Sequence, residues 1–239
     1  MFGYVPEYFE NSLYNKILMF GSDKVTIFHD VYKQDYFTFY NLEFVRVDFS
    51  ALIAAEGYSS MRNKPDDKVR VSDIVRFLLC RRNCFYFDLD VFFFKKIDFD
   101  FLAYEPISKK SLNNCLYRLS CENNRFLDSL RGYLRSQKDT GLTQTFNVMS
   151  RLWDEFYPNF GTATVLDIPI HNARAPPEKK PDLVKDLKFF AQYRYFWHAY
   201  DKTDYPLIME THRKLFPKSY NDTILTELTA FLKKKSMGQ

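Results

Sequence analysis

The stretch that decides the fold reads FYFDLDVFFFKKIDFDF and spans residues 85–101. Apolar residues, most of them aromatic, occupy alternate positions, and mainly acidic residues lie between them. Alternation with a period of two places successive side chains on opposite faces of a β-strand. Lys95 breaks the alternation. We therefore predict a turn near residues 94–96 and an aromatic two-stranded β-ribbon over residues 85–101.

Asp88 and Asp90 are the candidate metal ligands of this stretch. Two carboxylates at positions i and i+2 of a strand share a face and lie near enough to bind one divalent cation. The segment FYFDLD (85–90) resembles the first metal-binding motif of archaeo-eukaryotic primases and of some glycosyltransferases. It also resembles the opening of the haloacid-dehalogenase phosphatases. These resemblances imply that Asp88 and Asp90 bind a metal and that the substrate is a nucleotide or a sugar.

The surrounding residues depart from each of these patterns. Val91 and Phe92 stand where the phosphatases have Gly and Thr, and His171, in IPIH, lacks the Ser of the downstream Ser-x-His strand of primases. The D-x-D spacing recurs at Asp98 and Asp100, which favours a solvated acidic face of the ribbon. Our first expectation is therefore no metal and no other cofactor, and the metal site is the alternative.

The first 105 residues indicate a mixed α/β lobe. Val25, Ile27 and His29 share one parity, which is typical of a strand. Ser72 is positioned to cap a short helix that runs to Cys80.

Most of the chain beyond Pro106 has helical spacing. Leu112, Leu116 and Leu119 form one apolar stripe, and further stripes continue to residue 157. Residues 182–239 predict C-terminal helices, with Trp197 on the first of them and Asn221 capping the last. The expected fold is mainly α with a smaller β or α+β portion.

Residues 158–181 predict an extended arm between these helical segments. The arm holds five of the ten prolines and has neither helical nor strand periodicity. Its apolar residues favour packing on this protein or on a neighbour rather than free solvation. The residues expected to contact partner proteins are Val165, Leu166, Ile168, Ile170, Tyr193, Tyr195 and Phe196.

The aromatic content provides the leading functional hypothesis. The chain has 25 Phe and 17 Tyr, and aromatic rings supply large apolar areas to cores and interfaces. Together with the arm, this predicts a non-catalytic accessory or structural subunit of a large multiprotein assembly, such as a mitochondrial respiratory complex, a ribosome or a viral particle. Its partners would be other protein subunits. The alternatives are a metal-dependent enzyme that uses the D-x-D pair and a protein that binds single-stranded nucleic acid.

Several function classes lack their sequence signals. The seven glycines are isolated and form no phosphate-binding loop, and no apolar run reaches the length of a membrane helix. The net charge of +4 is too small to predict nucleic-acid binding. No two of the four histidines are spaced as a helical metal pair, and we interpret His198 as a hydrogen-bonded residue of an aromatic helix. The four cysteines predict buried free thiols in a reducing intracellular compartment; a site formed by all four thiolates is the alternative, and the mitochondrion is the compartment that the composition favours.

Overall fold

A computed structural model describes residues 9–57, 67–80, 83–105, 111–120, 124–136, 164–167, 195–198, 205–218 and 220–237. The helices are α1 (Glu10–Phe20), α2 (Phe49–Ala55), α3 (Asp67–Leu79), α4 (Asn124–Ser136), α5 (Tyr205–Leu215) and α6 (Asp222–Ser236). The strands are β1 (Val25–His29), β2 (Tyr36–Phe39), β3 (Leu42–Arg46), β4 (Cys84–Phe87), β5 (Val91–Phe93), β6 (Phe101–Glu105), β7 (Ser111–Leu119), β8 (Thr164–Asp167) and β9 (Phe196–His198).

The prediction of a mainly α fold is wrong, because strands in three small sheets accompany the helices. Three of these strands, β7, β8 and β9, lie in the part of the chain that we predicted to be helical or extended. In β7, Leu112, Leu116 and Leu119 have the spacing of a helical stripe, but they lie in a central strand that pairs with both β4 and β6. A strand covered on both faces loses the alternation that identifies it in a sequence.

The predicted ribbon over residues 85–101 is also wrong. β4 pairs with β7, β5 pairs with β9, and β6 pairs with β7 and β8, so the strands of this stretch do not pair with one another. Trp197, expected on a helix, lies in β9. Alternation identifies a strand but does not identify its partner. The residues near 146–157 that were predicted to be helical, most of the arm and all of residues 182–194 lie outside the described residues.

The chain divides into two compact units, each assembled from separate segments. The first unit contains Met1–Val47, Leu89–Ile97 and Pro169–Gln239, and the second contains Asp48–Asp88 and Asp98–Ile168. Strand pairing between distant segments stabilises each unit. Within the described ranges, no helix has the length and apolar character needed to cross a membrane.

The first unit combines α1, α5 and α6 with a three-stranded sheet and the β5–β9 pair. β1 and β3 are parallel, and β2 is antiparallel to β3. Val25, Ile27 and His29 are buried, which confirms the prediction for this strand. Asn221 caps α6 as predicted, since its side chain accepts a hydrogen bond from the Thr223 amide at 2.9 Å.

The second unit packs α3 and α4 near the sheet β4–β7–β6–β8. The ring of Tyr117 stacks on Phe77, with 5.5 Å between centroids, and on Tyr86 at 5.3 Å. Cys80 and Cys84 form a disulfide, so the prediction of free thiols is wrong for this pair. Cys115 is a buried free thiol, and Cys121 lies outside the described residues.

Most of the described aromatic rings are buried or half-buried. The large apolar side chains exposed in the described ranges are Tyr36, Tyr40, Leu215 and Met237. Most of the aromatic rings in the described part of the chain are therefore shielded from solvent by other residues of the same chain.

The imidazole of His212 makes the stability of the first unit pH-dependent. The ring is buried 4.8 Å from the Phe216 ring, and neither nitrogen has a hydrogen-bond partner among the described residues. Burial lowers the pKa of His212 from 6.5 to about 4. Between these values the unfolded state binds more protons, so stability present above pH 6.5 is lost as the pH falls towards 4.

We predict that His212→Phe weakens the pH dependence of the free energy of unfolding. The neutral phenyl ring removes a contribution of about 3 kcal/mol between pH 7 and pH 4. Urea unfolding followed by circular dichroism at several pH values measures the change. An identical pH dependence in the variant and the wild type would contradict the assignment. The buried His29, whose pKa burial also lowers to about 4, should retain its own contribution.

Candidate metal centre

Asp88 and Asp90 lie in the connection between β4 and β5 rather than on one strand. Asp88 directly follows β4, and its amide donates a hydrogen bond to the Cys115 carbonyl at 2.7 Å. Leu89 and Asp90 form a turn that leads into β5. Because the two aspartates are only two residues apart, the local backbone holds their carboxylates together, and ligand oxygens of the pair lie within 4.8 Å.

In the second unit, Arg76 and Tyr86 orient the carboxylate of Asp88. Arg76 lies on α3, and its Nη1 is 3.3 Å from Asp88 Oδ2 and 2.8 Å from the Asn114 carbonyl oxygen. The Tyr86 hydroxyl donates to Asp88 Oδ1. Burial raises the pKa of Tyr86 well above its usual value, so the phenol stays protonated and remains a donor. Two donors thus fix this carboxylate from different elements.

In the first unit, the pairing of β5 with β9 brings His198 to Asp90. The two strands are antiparallel, and Val91 lies opposite His198 in the register. His198 Nε2 is 3.2 Å from Asp90 Oδ1, and the His198 side chain is 6% exposed against 32% for Asp90. The Oδ1 atom itself is buried.

The electrostatic surroundings keep Asp90 ionised. Burial opposes the negative charge, but the charge and hydrogen-bonding capacity of His198, with a smaller contribution from Lys16, outweigh it. The net effect lowers the pKa of Asp90. The carboxylate of Asp90 is therefore in its metal-binding form, and the imidazole of His198 binds a metal when it is neutral.

The donor set suits a divalent cation. Carboxylate oxygens are the preferred ligands of Mg²⁺ and Mn²⁺, and an imidazole nitrogen extends the choice to transition metals. Within the first unit, Asp90 supplies the carboxylate and His198 supplies the imidazole of such a donor set. The second D-x-D pair differs, because Asp98 is exposed and Asp100 accepts a hydrogen bond from the Ser120 amide at 2.8 Å.

The residues expected to bind partner proteins lie in different places. Val165 and Leu166 lie in β8, paired with Leu102 and Ala103 of β6. The carbonyl of Tyr195 accepts hydrogen bonds from the amides of residues 94 and 95. Phe196 is buried in β9, and Ile168, Ile170 and Tyr193 lie outside the described residues.

Sequence reasoning missed His198 and Arg76 as functional residues. We assigned His198 to an aromatic helix, and we weighed His171 as the downstream histidine of a primase-like pattern. The strand-like run of aromatics at residues 195–197 was the available signal for β9. Arg76 has no sequence signal, because its contact with Asp88 depends on how α3 packs on the sheet.

Comparisons with protein-family models, with curated proteins and with solved structures find no match for this chain.

Replacing Arg76 tests whether this side chain supports Asp88. We predict that Arg76→Leu lowers the free energy of unfolding by about 3 kcal/mol, because it leaves the Asp88 carboxylate and a buried carbonyl without their cationic donor. The matched control is Arg46→Leu, since Arg46 is 48% exposed and 3.6 Å from Asp35. That variant should change stability by less than about 1 kcal/mol. Equal losses in the two variants, measured by chemical denaturation, would contradict this role.

Proposed function

We propose that this protein is a divalent-cation-dependent enzyme that acts on phosphorylated nucleotides, with Asp90 and His198 as metal ligands. The observation that carries the proposal is the approach of the buried His198 Nε2 to the buried Asp90 Oδ1 at 3.2 Å. A carboxylate oxygen and an imidazole nitrogen that lie this close together can bind one divalent cation.

The position of His198 supports a nucleotide rather than a sugar as the substrate. The segment FYFDLD resembles the first metal-binding motif of archaeo-eukaryotic primases, which pair it with a histidine on a downstream strand. His198 lies on such a strand, β9, although Phe196 stands where the primase pattern has Ser. The resemblance favours transfer of a nucleotidyl group. The hydroxyl group that Ser supplies in the primase pattern has no counterpart in this chain.

Two protein ligands leave coordination positions for water and for phosphate oxygens. A bound cation would supply charge neutralisation and orientation of the phosphates. The protein's own contribution is to hold the ligands, because the pairing of β5 with β9 fixes the position of the His198 backbone relative to Asp90.

Metal binding should stabilise the wild-type protein. At a Mn²⁺ concentration about 100-fold above the Kd, we expect the Tm to rise by about 5–10 °C, since binding to the folded state adds about 2.7 kcal/mol. Asp90→Asn preserves the shape of the side chain but removes its charge, and His198→Ala removes the nitrogen ligand. Both variants should lose most of the Mn²⁺-dependent shift in differential scanning fluorimetry.

The chain contains a matched control for this experiment. Asp98→Asn changes the exposed first carboxylate of the second D-x-D pair and should retain the full Mn²⁺-dependent shift. A wild-type protein whose Tm does not respond to Mn²⁺ or Mg²⁺ would overturn the proposed metal site. An equal loss in Asp98→Asn and Asp90→Asn would show that the effect is not specific to this site.

The substrate class is tested by turnover. With Mn²⁺, nucleoside triphosphates and a single-stranded DNA template, we expect release of pyrophosphate and its loss in Asp90→Asn. Release of a nucleoside diphosphate from nucleotide sugars, in place of pyrophosphate, would reassign the enzyme to the glycosyltransferase-like alternative. Chromatography of the products distinguishes the two reactions.

The accessory-subunit hypothesis, with protein partners in an intracellular reducing compartment such as the mitochondrion, stays a prediction. It is based on the aromatic content, the apolar arm and the lack of catalytic motifs in the sequence, and the described residues expose few large apolar side chains. The enzyme proposal instead has a specific group of side chains to support it.

A further inference from the structure

A lysine on α1 is completely buried beside the turn that carries Asp90. Lys16 has 0% exposure, and so do Ser12 and Asn15 on the same helical face. Its Nζ lies 5.3 Å from the centroid of the Phe92 ring and 5.6 Å from that of Phe93. Burying an ammonium group is costly unless it makes hydrogen bonds or charge interactions that replace water. The position of this lysine therefore requires an explanation from its contacts.

The contacts of Lys16 converge on the carbonyl groups of the two residues that flank Asp90. Nζ donates to the carbonyl of Leu89 at 3.3 Å and to the carbonyl of Val91. It also donates to Ser12 Oγ at 2.6 Å. The Ser12 hydroxyl in turn donates to the same Leu89 carbonyl. The three N–H donors of the ammonium group are thus directed to this small area.

We infer that Ser12 and Lys16 form a clamp that positions Asp90 as a metal ligand by holding the backbone carbonyls on both sides of it. This inference rests on the proposed function and extends it to residues outside the ligand set. The clamp acts through Asp90, so Ser12 and Lys16 are positioning residues. Ser12, Lys16 and the clamped residues 89–91 all belong to the first unit.

The arrangement differs from simple anchoring of a strand. Asn15 anchors β5, because its side chain exchanges two hydrogen bonds with the backbone of Phe93, at 2.9 Å and 2.8 Å. The clamp instead holds the carbonyl of Leu89, in the turn before β5, together with that of Val91, the first residue of β5. Outer-shell groups of this kind orient metal ligands, and their loss typically lowers metal affinity 10–100-fold.

The sign of the effect separates positioning from simple charge repulsion. A nearby ammonium group repels a cation, so its removal would tighten metal binding if repulsion were its main effect. Positioning predicts the opposite, since a released turn holds Asp90 less well. The Ser12→Ala variant keeps the charge and removes only the bridging hydroxyl, so it isolates the positioning effect.

The test is Mn²⁺ affinity measured by electron paramagnetic resonance on the full chain. We expect the Kd to rise about 10-fold in Ser12→Ala and about 10–100-fold in Lys16→Met. Circular dichroism and urea unfolding establish that each variant is folded at the temperature of the titration. Ser12→Ala is the smaller change and keeps the inference testable if Lys16→Met does not fold.

Asn15→Ala is the matched control, because Asn15 lies on the same helix, is equally buried and loses two hydrogen bonds. This variant should lose stability, but its Kd for Mn²⁺ should change less than threefold. If all three residues had a purely structural role, the three variants would show similar changes in Kd. An unchanged or lower Kd in both clamp variants, with Mn²⁺ binding intact in the wild type, would overturn the clamp alone. Absence of Mn²⁺ binding by the wild type would overturn the proposed function, and the clamp with it.

Discussion

The antiparallel pairing of Val91–Phe93 with Phe196–His198 is the constraint on which the candidate site depends. It joins segments about 100 residues apart and places His198 opposite the residue that follows Asp90. Three consecutive residue pairs define the register. A shift of one residue would turn His198 to the other face of the strand. The chemistry proposed for Asp90 is therefore set by a short strand pairing and not by a continuous motif.

Much of the secondary structure follows from local pattern. The parity of Val25, Ile27 and His29 identified a strand, and Asn221 was identified as the cap of α6, because both signals are local. β7 was misassigned because a strand covered on both faces shows no alternation, and its leucines coincide with helical spacing. The aromatic stretch was assigned to strands, but its partners were not, since pairing is decided by distant residues.

The candidate site shows the same limit. Asp88 and Asp90 stand out in the sequence because their spacing is local and chemically specific. His198 and Arg76 reach them only through strand pairing and helix packing, so no spacing rule connects them. The buried Lys16 is harder still to find, because a lysine in a helix is normally solvated and its burial depends on the carbonyls it meets.

The discontinuous make-up of the first unit has a consequence for biosynthesis. Tyr14 exchanges hydrogen bonds with the backbone of Asn221, and Thr229 donates to Glu10; these partners are separated by 207 and 219 residues. During translation, α1 leaves the ribosome long before α6 is synthesised, and until then its apolar face cannot pack against that helix. The core of the first unit thus stays incomplete until the residues of α6 have been synthesised. A nonsense mutation ahead of α6 would leave α1 without this packing partner.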